Sequence, residues 1–444
     1  MKIVIAGDGE VGFFLAKLLE QEYRDITLID TQENKLKYVE SELGIATVLG
    51  DSTSYRVLKE SGIAHADLLI AVTSNESVNI TTCLIGKRLG AKYTIARISN
   101  MEYLIDKETL DLKNLGIDDL ISPESLAARE IKYILKSPVL TEAFEIEGGL
   151  LNCMGVFIDK SSPLVNRTIK ELTQFMPDKQ FVVAAINRGG DIIIPRGDTQ
   201  FKRNDHLFFI STQKQPDAIF DFTGNHNYSI KNVLVIGGSQ TGKYVALRLS
   251  KYYNITLIEK DIRKCNLLAK SIPNVQVICG DGTDAKLLER EKIYNYDAIV
   301  SVTGNSETNI FVCMMAKEYG VKKTVAMVEN VGLFDHSRKL GIDSLINKKY
   351  AASNFIFRSI HKGGQFSQLY GIDAEILEFV VQKGAKAARV PIRELRFPEC
   401  AIIAGVVRNG QGFIASGTSQ LEPNDKVFVF SMPKSSKVVR SFFC

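Results

Sequence analysis

The chain contains one series of sequence signals twice, and this internal repeat constrains the fold more than any other feature. Three positions recur at an interval of 230 residues (237 − 7, 281 − 51 and 309 − 79), namely Gly7 with Gly237, Asp51 with Asp281, and Asn79 with Asn309. Each copy opens with an apolar run, a glycine-rich turn and a helical pattern, which is how a dinucleotide-binding unit begins. Because an enzyme needs only one active site per chain, the duplicated pocket favours a protein that senses nucleotides.

The composition is that of an ordinary globular protein, and it argues against several classes of function. Of the 444 residues, 45% are apolar and 24% are charged, and the formal net charge is +4. This mild charge, without clustered basic residues, argues against a nucleic-acid partner. No apolar run approaches the ~20 residues of a membrane span, and Met1 leads directly into an apolar strand. We therefore expect neither a transmembrane segment nor a signal peptide.

The cysteines and histidines give no sign of a metal site. The chain has seven cysteines without a CxxC pair and five histidines without ligand spacing. Zinc sites need such spacings, so we predict no metal ligands and no catalytic thiol. The cysteines are expected to be buried, reduced thiols of a cytoplasmic protein.

Apolar runs alternate with helical segments through each copy of the repeat. In the first copy we predict strands at residues 2–6, 26–29 and 68–72, and helices at residues 33–43 and 77–89. Such alternation is typical of a parallel sheet covered by helices on both faces. The predicted fold class is α/β, with two Rossmann-like doubly wound parallel-sheet domains.

A smaller repeated unit follows each nucleotide-binding unit. Arg188 and Arg408 lie 220 residues apart (408 − 188), as do Asp205 and Asp425 (425 − 205). Turn sequences between β-rich runs, such as Asn409-Gly410, indicate small antiparallel α+β domains. We therefore predict four domains, at residues 1–140, 141–215, 229–365 and 366–444, with residues 211–229 as the linker between the halves.

One long helix in each copy is predicted after the last strand of its parallel sheet. These helices cover residues 122–136 and 349–361, and each follows a matching Leu-Gly-Ile-Asp phrase that begins at Leu115 or Leu340. In the first of them Ser122 is the candidate N-cap and Pro123 the first helical residue. Each helix either covers its own sheet or crosses over to pack against a partner lobe, and the sequence leaves both arrangements open.

The first glycine-rich turn has the context of a working dinucleotide pocket, because it follows a strand and opens a helix. Its residues are Gly7, Asp8, Gly9, Glu10, Val11 and Gly12. Gly7 is expected to permit the tight turn, Gly9 to let the backbone approach a pyrophosphate, and Gly12 to let helix and strand pack closely. Asp30, at the end of the second strand, is placed to accept ribose hydroxyls, which favours NAD(H) or ADP/ATP over NADP.

The second glycine-rich turn departs from the first. Its residues are Gly237, Gly238, Ser239, Gln240, Thr241 and Gly242, and Glu259 takes the part of Asp30. Ser239 replaces Gly9, so a side chain crowds the pyrophosphate, although its hydroxyl could donate a hydrogen bond. Met327 replaces Arg97, which removes one cation at a strand end where a phosphate could bind. The second pocket is therefore either a weaker nucleotide site or an empty structural copy.

Further polar residues end the third and fourth strands at the same rim. Asp51 and Ser52 close the third strand near an adenine position, as Asp281 does in the second copy, although a Gly-Asp pair is also plain turn chemistry. Beyond the fourth strands lie Thr73, Ser74 and Asn75, matched by Thr303, Gly304 and Asn305. These residues either line the pocket or cap the helices that follow them.

The second turn also matches the start of a P-loop, GxxxxGK, through Lys243. The next residue is Tyr244 instead of Ser or Thr, so the hydroxyl that holds Mg²⁺ is missing. We therefore reject an NTPase and interpret Lys243 as a surface residue near the helix start.

Together these features resemble the TrkA family, the cytosolic regulatory subunits of bacterial and archaeal Trk/Ktr-type potassium uptake systems. The resemblance covers essentially the whole chain. It rests on the two glycine-rich turns, the acids Asp30 and Glu259, the Gly-Asp turns, the residues Thr73 and Thr303 with their Asn79 and Asn309 helices, and the two C-terminal units. It implies two RCK modules (regulators of K⁺ conductance), each with a nucleotide-binding N domain and a small α+β C domain.

The resemblance also implies a function, a cofactor and partners. Such modules bind NAD(H) or ATP/ADP, with an arginine near the position of Arg97 on the phosphates. The expected assembly is a homo-oligomeric ring, a tetramer, on the inner face of the cell membrane beneath a TrkH-like potassium channel or transporter subunit. Nucleotide binding then changes the shape of the ring and the opening of the channel.

Two other classes of function remain as alternatives. An NAD-dependent dehydrogenase would share the Rossmann fold, but it needs a His, Lys or Tyr acid/base near the nicotinamide, and the small β-rich units offer no such cluster. A purely structural scaffold would keep the turns without binding a nucleotide. Turnover of NADH discriminates the first alternative, and calorimetric binding discriminates the second.

Overall fold

The computed structural model describes residues 1–20, 23–100, 102–105, 111–175, 181–212, 216–225, 228–360, 366–368, 374–432 and 435–444. The chain divides into two compact units. One unit contains Met1–Leu126 and Lys348–Ile360, and the other contains Ala127–Asn347 and His361–Cys444. The four predicted domain boundaries stay predictions, and those at 215 and 365 lie outside the described residues.

The first parallel sheet has six strands in the order β3-β2-β1-β4-β5-β6. Its strands are β1 (Lys2–Ala6), β2 (Asp25–Asp30), β3 (Ala46–Leu49), β4 (Leu68–Ala71), β5 (Tyr93–Arg97) and β6 (Asp119–Ile121). The helices between them are α1 (Glu10–Glu20), α2 (Glu33–Leu43), α3 (Tyr55–Glu60), α4 (Glu76–Leu89), α5 (Glu102–Ile105) and α6 (Leu112–Leu115). Strand β4 is apolar and fully buried, as is β1 beyond Lys2, because helices cover both faces of the sheet.

A long helix and an antiparallel sheet follow the first parallel sheet. The helix is α7 (Pro123–Lys136), and the sheet has the order β10-β9-β11-β8-β7. Its elements are β7 (Ala143–Ile146), β8 (Leu151–Phe157), α8 (Ile169–Phe175), β9 (Phe181–Arg188), β10 (Asp191–Ile193), β11 (His206–Thr212) and α9 (Pro216–Thr223).

The second parallel sheet repeats the first, with the order β14-β13-β12-β15-β16-β17. Its strands are β12 (Asn232–Ile236), β13 (Asn254–Glu259), β14 (Val275–Cys279), β15 (Ala298–Ser301), β16 (Lys323–Met327) and β17 (Ser344–Ile346). Its helices are α10 (Gln240–Leu249), α11 (Ile262–Ser271), α12 (Ala285–Arg290), α13 (Ser306–Glu318) and α14 (Phe334–Lys339).

The last part of the chain contains a long helix and a second antiparallel sheet. The helix is α15 (Lys348–Ile360), and the sheet has the order β18-β19-β22-β20-β21. The remaining elements are β18 (Phe366–Gln368), β19 (Glu375–Val380), β20 (Ala401–Arg408), β21 (Gln411–Ile414), β22 (Lys426–Ser431) and α16 (Ser436–Arg440). The predicted fold class is therefore confirmed.

The two antiparallel sheets share one hydrophobic core. Buried residues of the first sheet, such as Phe208 and Ile210, belong to the same cluster as Phe428 and Phe430 of the second. The rings of Phe208 and Phe430 lie 6.4 Å apart, and a Cβ at Gly405 would stand 2.6 Å from the Leu151 side chain. These small domains bury their apolar faces against each other, because a single thin sheet covers too little apolar surface alone.

The two long helices α7 and α15 cross over between the copies of the repeat. Helix α15 follows the second parallel sheet but lies in the unit built around the first, where the Tyr350 ring meets Phe14 of α1 edge-on at 4.6 Å. Helix α7 follows the first sheet, and Lys132 of α7 donates to the hydroxyl of Tyr252, just after α10, at 3.0 Å. The crossover interpretation is confirmed. His361, the predicted end of the second helix, lies outside the described residues.

The predicted linker differs from the structure. Ser211 is fully buried in β11, and residues 216–223 form helix α9, whose Ile219 and Phe220 enter the core of the first antiparallel sheet. The polar and turn residues of this segment suggested a plain connection. Its few apolar residues are spaced along one helical face, and burying them ties the segment to the small domain.

The topology of each parallel sheet predicts where a ligand would bind. In both sheets the strand order reverses between the first and fourth strands, β1 with β4 and β12 with β15. Ligands of such sheets bind in the crevice outside the carboxyl ends of the strands at this switch point. The two glycine-rich turns lie at these crevices, since they follow β1 and β12.

Candidate functional site

The glycines of the first turn have the geometry that a dinucleotide turn requires. Gly7 has φ +104°, and a Cβ there would stand 2.8 Å from the backbone nitrogen of Thr73. A Cβ at Gly12 would lie 1.9 Å from the carbonyl oxygen of Gly7, so only glycine lets α1 pack against the turn. Gly9 is exposed and a Cβ there would meet nothing within 4 Å. The backbone is therefore open to a ligand at the start of α1, where Glu10 and Val11 begin the helix.

The turn of the second copy repeats this backbone but not its open face. Gly237 has φ +101°, and a Cβ at Gly242 would lie 1.9 Å from the carbonyl oxygen of Gly237. The hydroxyl of Ser239 accepts a hydrogen bond from the amide of Gly242 and donates to the carbonyl of Val302 at 3.1 Å. Ser239 thus caps α10, and its hydroxyl is turned toward the protein instead of toward a phosphate. Thr241 is buried in the first turn of the helix.

The acids at the ends of β2 and β13 hold the two turns in the same way. Asp30 accepts from the amides of Asp8 at 2.7 Å and Gln32 at 2.9 Å. Glu259 accepts from the amides of Gly238 at 2.7 Å and Asp261 at 2.9 Å. Asp30 is half-buried, whereas Glu259 is only 8% exposed. The Asp30 carboxylate is therefore better placed to accept the hydroxyls of a ribose.

Asp8 adds a buried acid to the first pocket, beside the half-buried Asp30. The Asp8 side chain is 7% exposed, and its Oδ1 atom has no hydrogen-bond partner among the described residues. Burial, and then the neighbouring charge of Asp30, raise the pKa of Asp8 to about 6, while the charge of Lys35 on α2 opposes the shift. The second copy has Gly238 here, where a Cβ would stand 2.4 Å from the Leu268 side chain. The first pocket alone therefore carries this titratable group.

A buried asparagine braces the rim of each pocket. Asn79 of α4 accepts from the amide of Thr73 at 2.8 Å and from its hydroxyl at 2.7 Å, and its own amide donates to the carbonyl of Arg97 at 2.9 Å. Asn309 makes the same bonds to Thr303 and to the carbonyl of Met327. Asn79 thus joins the ends of β4 and β5. The repeat marked this residue, but only the structure gives its role.

The residues after β4 and β15 include the caps of the next helices. The side chain of Asn75 accepts from the amides of Ser77 and Val78 at the start of α4. Asn305 caps α13 by accepting from the amide of Thr308. Ser74 and Gly304 are exposed beside these caps. The capping alternative therefore describes Asn75 and Asn305, whereas Thr73 and Thr303 face their glycine-rich turns.

The Gly-Asp turns after β3 and β14 are built by local hydrogen bonds. Asp51 accepts from the amide and the hydroxyl of Thr53, both at 2.8 Å, and these bonds lower its pKa. Asp281 accepts from Thr283 in the same way. Ser52 is buried, and its hydroxyl lies 2.9 Å from that of Thr82 on α4. The turn chemistry accounts for both aspartates, and Ser52 joins the turn to α4.

Arg97 is engaged by an acid in the structure. Its guanidinium nitrogen lies 3.0 Å from a carboxylate oxygen of Glu124, the second residue of α7, and the side chains are 21% and 10% exposed. The other oxygen of Glu124 is buried and has no hydrogen-bond partner among the described residues. A phosphate at Arg97 therefore competes with Glu124. The sequence alone did not indicate that Glu124 meets Arg97.

A lysine of α15 reaches the start of α1. The ammonium of Lys349 lies 3.5 Å from the carboxylate of Glu10, and its side chain is 18% exposed. In the second copy Gln240 stands in place of Glu10 and donates from its side chain to the hydroxyl of Tyr244 at 2.9 Å. Sequence reasoning missed Lys349 because its place depends on how α15 crosses over.

The arginine and aspartate that recur in both small domains form an ion pair in each of them. Arg188 binds Asp205 through two bonds of 2.7 and 2.8 Å, and Arg408 binds Asp425 through bonds of 2.8 and 2.7 Å. Each arginine also donates to a nearby backbone carbonyl, that of Gln200 or Gln420. These pairs tie neighbouring strands together in both small domains.

Two features are absent from the residues that the structure describes. These residues contain no cluster of His, Cys, Asp or Glu that could hold a metal ion. None of the helices in the described ranges is long and apolar enough to cross a membrane.

Comparison with known families finds both kinds of domain twice. The TrkA-N domain family matches residues 3–123 and 233–348, and the TrkA-C domain family matches residues 153–224 and 376–443. The chain is 30% identical over 440 residues to the Trk system potassium uptake protein TrkA of Halomonas elongata, covering 98% of this chain and 96% of that protein. It is 31% identical over 454 residues to the Trk system potassium uptake protein TrkA homolog 1 of Methanosarcina mazei, covering 100% of both.

Solved structures share the fold at low sequence identity. The GsuK channel bound to NAD superposes with a TM-score of 0.63 at 18% identity, covering 100% of this chain and 78% of that chain. The GsuK RCK domain gives a TM-score of 0.62 at 17% identity, covering 98% and 93%. GsuK bound to ADP gives 0.52 at 16% identity, covering 81% and 69%. The tandem arrangement of parallel and antiparallel sheets is thus an RCK architecture.

Proposed function

The chain belongs to the TrkA family of Trk system potassium uptake proteins, and from this premise we propose that it is a nucleotide-responsive regulatory subunit of such a system. The nucleotide binds in the first pocket and biases the opening of a separate membrane subunit. The observation that carries the proposal is the geometry of the first glycine-rich turn. The space around Gly9 is free for a ligand, and Asp30, at the end of β2, accepts a hydrogen bond from the amide of Asp8 in the turn.

The proposed ligand is NAD(H) or ADP/ATP. The start of α1 presents backbone amides to the phosphates, and Asp30 accepts the ribose hydroxyls. A carboxylate at this place repels a 2′-phosphate, so NADP is disfavoured. Two of the related RCK structures are described as bound to NAD and to ADP, which supports the same ligand class for this chain.

The first pocket is proposed to bind more tightly than the second. Gly9 leaves the first turn open, whereas Ser239 places a side chain on the second turn. Asp30 is only partly buried and can be reached by a ligand, whereas Glu259 is buried. We therefore propose that most of the nucleotide affinity comes from the first pocket, through Gly7, Gly9, Gly12, Asp30 and Arg97. The second turn is proposed to contribute less.

The proposed partner is a TrkH-like membrane channel or transporter subunit, and the proposed assembly is a homo-oligomeric ring, a tetramer, on the cytoplasmic face. A ligand shifts a ring between two states only if it binds them with different affinity. We propose that the crossover helices α7 and α15 transmit the effect of ligand binding, because each contacts residues of the other copy of the repeat.

A titration of the purified protein tests the proposal. Calorimetry with NAD⁺, NADH, ADP and ATP is expected to show saturable binding, with Asp30→Ala weakening it. The same samples are then incubated with NADH and small oxoacids. Absence of binding by all four nucleotides would leave only a structural scaffold, and oxidation of NADH would support a dehydrogenase instead.

A further inference from the structure

Two helix starts lie side by side at the first pocket. Helix α1 begins at Glu10 and α15 begins at Lys348, and Lys349 is 3.5 Å from the carboxylate of Glu10. One turn further along α1, the Phe14 ring meets the ring of Tyr350 at 4.6 Å. The first turn of a helix from the second half of the chain therefore packs on the first turn of the helix that faces the phosphates.

The charge of Lys349 is unexpected at this place. Both helix starts carry partial positive charge, which favours acids and disfavours a lysine. The matching helix α7 has Glu124 at the aligned position, 225 residues earlier (349 − 124), as shown by the preceding phrases at Leu115 and Leu340 (340 − 115). In the structure the Glu10 carboxylate is an anionic partner of this lysine.

The first turn also carries an excess of acids. Asp8, Glu10 and Asp30 surround the glycines, and each of them disfavours an anionic ligand. Arg97 is held by Glu124, and Lys35 acts on Asp8 from α2. Lys349 is the cation that the structure pairs directly with the residue at the start of α1.

We propose that Lys349, from the second half of the chain, completes the phosphate end of the first nucleotide pocket by exchanging the Glu10 carboxylate for the ligand's phosphate. This inference rests on the proposed function of the pocket. Its consequence is that the bound phosphate becomes a link between α1 and α15, so occupancy of the first copy acts directly on the crossover helix of the second.

The same contact predicts which ligands benefit. The ammonium lies beside Glu10, whose backbone amide is at the helix start where a pyrophosphate binds. Ligands that carry phosphate groups are therefore expected to bind more tightly because of Lys349, whereas adenosine, which has no phosphate, is not. The second pocket has Gln240 and no acid at the aligned position, so this exchange belongs to the first pocket.

The test compares ADP with adenosine on the full-length protein. Lys349→Gln is expected to weaken ADP binding about tenfold, since one charge-assisted contact is lost, and to leave adenosine binding unchanged. Glu10→Gln is expected to strengthen ADP binding, because the competing carboxylate is removed. Lys349→Arg retains ADP affinity. The matched control is Lys17→Gln, an exposed lysine further along α1, which is expected to change neither ligand.

The outcomes separate the inference from the proposed function. Equal ADP affinity of wild type and Lys349→Gln would overturn the role of Lys349 while leaving the nucleotide site in place. An equal loss of ADP and adenosine binding in Lys349→Gln would also overturn it, because the lysine would then act on the shape of the pocket. Absence of ADP binding by the wild-type protein would overturn both.

Discussion

At the scale of single residues, the two copies of the repeat hold the same backbone with different chemistry. Asp30 and Glu259 each accept two backbone amides, yet Glu259 is more deeply buried and its turn carries Ser239. Asp8 and Glu10 of the first copy are replaced by Gly238 and Gln240 in the second, so the Glu10–Lys349 ion pair belongs to the first copy. The duplication has preserved the fold of both pockets, while the groups proposed to bind a nucleotide, such as the open Gly9 and Arg97, are concentrated in the first.

The first prediction compares the two turn acids. Asp30→Ala is expected to weaken nucleotide binding about tenfold or more, because an acceptor of ribose hydroxyls is lost, whereas Glu259→Ala is expected to weaken it less. Calorimetric titration with NAD⁺ and ADP measures both. Asp25→Ala, at the exposed end of the same strand, is the control. A larger loss in Glu259→Ala would reverse the ranking of the pockets.

The second prediction uses the pKa of Asp8, which is raised from 3.8 to about 6 in the folded protein. Between these values the folded protein holds a proton that the unfolded chain has released, so stability falls as the pH rises from about 4 to 6. Asp8→Asn removes this loss. Its melting temperature is expected to exceed that of wild type above pH 6 and to converge with it near pH 4. A constant difference across this range would show that Asp8 does not titrate there.

At the scale of elements, much of the fold follows from local sequence. The predicted strand at residues 2–6 and the predicted helix at 33–43 match β1 and α2 at both ends. Buried parallel strands are continuous apolar runs, and Gly7 and Gly12 mark a turn that other residues cannot form, so these signals survive without tertiary information.

What the sequence could not predict depends on how distant elements meet. The pairing of Arg97 with Glu124, and of Lys349 with Glu10, requires knowing where α7 and α15 begin relative to the pocket. The bracing role of Asn79 could not be predicted either, because it depends on where the end of β5 lies relative to α4. Helix α9 was missed because a short helix surrounded by polar residues resembles a linker until its apolar face is buried.

The third prediction concerns the ion pairs of the antiparallel sheets. Asp205 is fully buried, so Arg188→Ala leaves its carboxylate in the interior without a charged partner, although the amide of Lys202 still donates to it at 2.8 Å. This change is expected to lower the free energy of unfolding by about 3–5 kcal/mol. Thermal and denaturant unfolding measure the effect, and Arg203→Ala, an exposed arginine nearby, is the control. A loss equal to that of the control would mean that solvent replaces the pair without cost.

At the scale of the whole molecule, the chain combines two RCK modules whose long helices cross between the copies of the repeat. Helix α15 carries Lys349 to the first pocket, and α7 carries Lys132 to Tyr252 beyond α10. Under the proposed function, binding in one pocket would act on a helix that comes from the other copy. Such a connection suits the proposed regulator, whose output would be a change in shape, better than it suits an enzyme.

The central claim is that nucleotide occupancy of the first pocket controls potassium uptake through a separate membrane subunit. The most direct test is the initial rate of K⁺ uptake at limiting K⁺ in cells that lack this gene and carry the wild-type chain, the Asp30→Ala variant or neither. We expect the wild-type chain to restore uptake and Asp30→Ala, present at the same level, to restore much less. Uptake that is equal in all three strains would contradict a role in potassium transport, and equal restoration by both chains would contradict control by the first pocket.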